Sequence, residues 1–83
     1  MLQVVPLPVV LSTTARFVVA EGPYPGCDAD RVTLHHACNS FPMAAVAFGS
    51  AAGGLRQGCV QLIELCPLDP RVLGCLYARD ERP

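Results

Sequence analysis

Lysine is absent from this 83-residue chain, and six arginines face seven acidic residues for a formal net charge of -1. Phosphate backbones are gripped by clustered cationic side chains, so this balance argues against nucleic-acid binding. The same absence removes the Gly-Lys-Ser or Gly-Lys-Thr step of a phosphate loop, which leaves Gly49, Gly53 and Gly54 without that role. Charge of either sign is scarce: 16% of residues are charged, against roughly 25% in an average soluble domain. No uninterrupted apolar run reaches the roughly 20 residues that cross a bilayer as a helix, since the one at 43–55 is shorter and contains Ser50. The first fifteen residues carry an apolar stretch but no basic residue before it, and Pro6 and Pro8 interrupt it, so a secretory leader is disfavoured. A cytoplasmic protein without a membrane span is the expectation.

Closely paired cysteines are missing as well. Cys27, Cys38, Cys59, Cys66 and Cys75 are odd in number and include no C-x-x-C, the tight pair that aims two thiolates at one ion in a structural zinc site. The only local cluster of ligand-type residues is Cys27, His35, His36 and Cys38. On a helix the two histidines diverge by about 100°, so at most one could join Cys38 on a face. The favoured reading treats Cys38, Cys59, Cys66 and Cys75 as small buried hydrophobes of a reduced compartment. No cofactor is expected.

What the chain does have is apolar residues, 52% of the total. A chain of this length forms one core with little surface to bury, so a single domain over residues 1–83 must leave apolar atoms outside. Such atoms call for a partner.

Residues 2–11 are rich in valine and leucine, yet Pro6 and Pro8 remove two ladder donors on the same edge. Residues 1–14 therefore read as an edge strand or an extended arm. Residues 15–21 follow as a strand, Phe17 and Val19 on one face and Val18 on the other. The run Gly22, Pro23, Tyr24, Pro25, Gly26 is a loop. Asp28 or Asp30 can cap a helix that continues through Val32, Leu34, Ala37 and Cys38. It restarts from a Ser40 cap with Pro42 in its first turn, which predicts one kinked helix or two short ones over residues 28–52. In the second part Phe41, Ala44, Ala45 and Phe48 form a stripe and Met43, Val46 and Ala47 fill the rest, a pattern that implies cover on both sides. The small-residue row Ala45, Gly49, Gly53 more often receives a sheet than a helix partner. Residues 59–66 and 72–79 then read as a hairpin around a Pro-Asp-Pro turn, with Cys59, Gln61, Ile63 and Leu65 on one face and Val60, Leu62 and Glu64 on the other. Leu73, Cys75 and Tyr77 share a side of the second strand. Residues 80–83 form a charged, frayed end. The assembled expectation is an α+β domain in the order β-β-α-β-β, an antiparallel sheet of three or four strands with helical cover on one face.

Chemistry is thin. Cys38 near His35 or His36 is the only local thiol and base, and Asp28 and Asp30 oppose the electropositive setting a thiolate needs. The acids themselves suit a helix start. The reading favoured is a small non-enzymatic protein-interaction or self-associating module, with Phe41, Ala45, Phe48, Gly49 and Gly53 as its contact residues and a protein partner or a second copy as its target. Its alternatives are a zinc-binding module using Cys27, Cys38 and His35 or His36, a thiol enzyme acting through Cys38, and the product of an orphan reading frame without a selected activity.

Overall fold

The computed structural model describes residues 4–9, 14–65 and 69–79. Among them four strands form one antiparallel sheet: β1 (Phe17–Gly22), β2 (Thr33–Cys38), β3 (Gly58–Glu64) and β4 (Arg71–Ala78). The spatial order is β2-β1-β3-β4. A single helix, α1 (Phe41–Gly53), connects β2 to β3. Because β1 is antiparallel to both of its neighbours, β2 and β3 run the same way on either side of it, and the chain needs α1 to carry it back across the sheet. The α+β class, the antiparallel sheet and the helix on one face agree with the sequence reading.

Alternation within β1 and β3 builds two apolar layers. Phe17 and Val19 meet Val60 and Leu62 beneath Ala44, Ala47, Phe48, Ala51 and Ala52 of the helix. Val18 and Ala20 meet Cys59 and Ile63 on the opposite face, where Leu7 and Cys27 cover them. Residues with period-two alternation point to opposite sides of a pleated strand, so every residue of these central strands has a covered side to reach. The face assignments of residues 59–64 made from sequence hold.

Cover on that second face comes from residues 4–9, which belong to no strand. Gln61 holds them. Its side chain is fully buried, its Oε1 accepts from the Leu7 amide at 2.7 Å, and its Nε2 donates to the Val5 carbonyl at 3.0 Å. One side-chain amide thus does for this segment what a neighbouring strand would do, satisfying a donor and an acceptor of the backbone. Of the two alternatives for residues 1–14, the edge strand is not formed over 4–9; residues 1–3 and 10–13 lie outside the described residues, as do 80–83.

The largest correction concerns residues 28–38. The predicted helix shrinks to a three-residue 3-10 turn, Ala29–Arg31, and Asp28 makes no side-chain capping bond there. Thr33–Cys38 is strand β2 instead, paired with β1 from Phe17↔Cys38 to Glu21↔Thr33 with a bulge that leaves His35 as the extra residue. The reason is tertiary. Val18, Val19 and Ala20 are fully buried, so β1 must satisfy backbone donors and acceptors on both edges. A helix at 33–38 would leave one edge without a partner, a larger cost than the weak local preference for helix.

The helix itself starts where expected. Ser40 Oγ accepts from the Met43 amide at 3.4 Å, with Phe41 and Pro42 in the first turn, where a missing N–H costs nothing. It is one helix, neither kinked nor doubled. A further bulge in β4 sets Val72 opposite Ile63 and Gly74 opposite Leu62. Leu73 is therefore the extra residue, and Val72 takes its predicted place beside Cys75 on the Leu7 side of the sheet. Gly74 then faces α1, where a β-carbon would come within 3.3 Å of the Phe48 ring.

Candidate functional site

The outward side of α1 is the site that the fold leaves open. Only Ala44 of the helix is fully buried. Phe41 is 49%, Met43 58% and Val46 74% exposed, an arrangement that sets large apolar side chains in water where a surface helix ordinarily carries charge. Cover on both sides, expected from the sequence, is present on one side only. Beside these residues α1 and β2 enclose a shallow apolar groove of about 540 Å³ lined by His36, Pro42, Met43, Val46, Ala47 and Ser50.

The groove exists because of how β2 approaches the helix. His36 lies opposite Val19, and Val19 faces the helix, so the imidazole stands on the α1 side of the sheet. Two residues on, Cys38 packs into the same layer and donates to the Ser40 carbonyl at 3.4 Å. β2 is also an edge strand, one side of which has no neighbour in the sheet among the described residues. Exposed backbone of that kind can accept another strand.

The contact residues read from sequence divide. Phe41 stands in the open region and also packs edge-to-face on Phe17, ring centroids 5.8 Å apart. Phe48 turns inward against the sheet and is a core residue. Gly49 and Gly53 are exposed, and β-carbons built on them would meet nothing within 4 Å. The row Ala45, Gly49, Gly53 therefore does not receive the sheet, which packs on Ala44, Ala47, Phe48, Ala51 and Ala52 instead. Sequence reasoning left Met43 and Val46 out of the contact set. The missed signal was the 3.6-residue period itself, which puts Val46 opposite Ala44 and Phe48 and Met43 on the flank once the sheet fixes the inner face.

The zinc candidates do not assemble. Cys27 is buried in the Leu7 layer, whereas Cys38 is in the helix layer on the other side of the sheet. His35 bonds through Nε2 to Glu21 Oε1 at 2.7 Å, and His36 borders the groove. Among the described residues no three of His, Cys, Asp or Glu group as metal ligands would. Asp28 and Asp30 are exposed beside the 3-10 turn. Cys59 is fully buried and Cys75 half-buried, both as thiols; Cys66 lies outside the described residues.

A polar cluster closes the other end of the sheet. Glu64 is bonded by Arg71 and by Arg16, the latter at 3.1 Å through Nε. The Arg71 hydrogen bond is the main cause that holds the Glu64 carboxyl below its ordinary value; burial opposes it and Arg16 reinforces it. Two guanidiniums share the one carboxylate, so the arrangement reads as the tie between the starts of β1 and β4.

The class defined so far is a small α+β domain with one helix on a four-stranded antiparallel sheet and an uncovered apolar helix face. In comparison with known proteins, no family model, no curated protein and no solved structure matches the chain. Among the described residues no helix is long and apolar enough to cross a membrane.

Proposed function

We propose that the protein is a non-enzymatic interaction module that associates with another copy of itself through the outer face of α1 and the adjoining edge of β2. The observation that carries this reading is the exposure of Phe41, Met43 and Val46 side by side with the His36 groove. Burying such side chains against a complementary surface removes apolar area from water, at about 25 cal/mol per Å² before the costs of association are met. A polar groove with convergent reactive groups would support catalysis, but the lining here is almost wholly apolar, with Ser50 and His36 as its polar members.

Sedimentation velocity over a concentration series tests the reading, with Val46→Glu as the control. The wild-type chain is expected to shift to a larger species as concentration rises. Val46→Glu is expected to remain monomeric with an unchanged unfolding midpoint, because an exposed position carries little folding energy. A wild-type chain that stays monomeric into the high micromolar range overturns self-association.

A further inference from the structure

Three thiols lie on the sheet face away from α1, and two of them touch. Cys59 Sγ and Cys75 Sγ are 3.9 Å apart. In the register of β3 and β4, Cys59 stands opposite Tyr77 and Cys75 opposite Gln61, so the two cysteines are diagonal neighbours on one face of adjacent strands. We propose that Cys59 and Cys75 are the protein's oxidisable dithiol, the pair that closes into a disulfide when a small-molecule disulfide is supplied.

A disulfide needs its sulfurs about 2.05 Å apart and both side chains aimed at one another. The 3.9 Å contact already brings the two sulfurs against one another, and because diagonal neighbours on adjacent strands stand about 7–8 Å apart, closure draws β3 and β4 together locally as the side chains turn. The partners differ in access. Cys75 is half-buried and reaches solvent, while Cys59 is enclosed. Burial first, and the neighbouring Cys75 second, push the Cys59 thiol up to about 12, which makes it a poor point of entry for a reagent.

The order of events follows. The Cys75 thiolate attacks one sulfur of the small disulfide, forms a mixed disulfide and expels the first small thiolate. Cys59 then gives up its proton and attacks the Cys75 sulfur, expelling the second. The protein loses two electrons and two protons, and the reagent gains them as two thiols. Cys27 belongs to the same apolar layer and is the natural competitor. Cys38 is excluded by the sheet between them.

The test treats the reduced full-length chain with oxidised glutathione, quenches with acid, alkylates the remaining thiols and maps the peptides. The expected product has lost two hydrogens, carries no glutathione, and joins Cys59 to Cys75 in about tenfold excess over any other pairing. Cys59→Ala is expected to halt as a glutathione adduct on Cys75. A variant with Cys27, Cys38 and Cys66 all changed to serine keeps the proposed pair and is expected to close as the wild type does. The inference is overturned by a bond to Cys27, by a glutathione adduct that persists on wild-type Cys75, or by Cys59 and Cys75 both remaining open to alkylation after denaturation.

Discussion

Replacing Gln61 by leucine removes the side-chain amide that binds the Val5 and Leu7 backbone to the sheet, and its cost can be worked from the geometry. Leu7 is 3% exposed, so its amide, deprived of Gln61 Oε1, has no water to turn to; a buried donor left in that state costs about 1–3 kcal/mol. Val5 is 56% exposed, and its carbonyl can exchange the Gln61 amide for water at little cost. The chain has an escape, which is to release the segment and expose Leu7, at a cost of about 1.5–3 kcal/mol of lost burial. The two routes are comparable, so Gln61→Leu is expected to destabilise the fold by about 2 kcal/mol, equivalent to a midpoint fall of roughly 10 °C in a domain of this size. Urea unfolding measures the first quantity and hydrogen exchange at the Leu7 amide reports release. In the released state Leu7→Ala should add less than about 0.5 kcal/mol, although the same change in the wild type costs about 2 kcal/mol or more. A Gln61→Leu protein within about 0.5 kcal/mol of wild type, with the Leu7 amide as protected as before, would refute the reasoning.

Three further outcomes follow from single contacts. Gly58 has φ +103° and no room for a β-carbon, which would meet the Gly22 carbonyl oxygen at 2.7 Å; Gly58→Ala is expected to cost about 2–4 kcal/mol in urea unfolding. Ser40→Ala removes the α1 cap, and because that bond is long at 3.4 Å the expected loss is about 0.5–1 kcal/mol. The carboxyl of Glu64 is more acidic folded than its ordinary 4.5, chiefly through Arg71. Its contribution is thus complete above that value and disappears as pH falls through the folded one. Glu64→Gln should be less stable than wild type near neutral pH and converge with it in acid, a trend that midpoints measured across the acid range will show or deny.

Local pattern was sufficient for much of the architecture. The alternation Phe17, Val18, Val19 marked β1 and both its faces, the Ser40 and Pro42 pair marked the start of α1, and the period of residues 59–65 separated the Leu7 layer from the helix layer. These are short-range properties: a cap, a proline and a two-residue period act within a few residues of themselves. The scarcity of charge likewise foretold that apolar side chains would remain outside, as Met43 and Val46 do.

Tertiary structure alone decided the rest. Thr33–Cys38 became a strand because β1, buried on both faces, needed a second paired edge, and nothing inside that hexapeptide states the need. Which side of α1 faces outward depended on where the sheet lies, since a helix apolar nearly all round has no inner face of its own. The meeting of Cys59 with Cys75, sixteen residues apart, depended on the strand register, and the role of Gln61 on a segment fifty-four residues away. Periodicity fixes the side of an element on which a residue stands; only the folded chain fixes what stands opposite it.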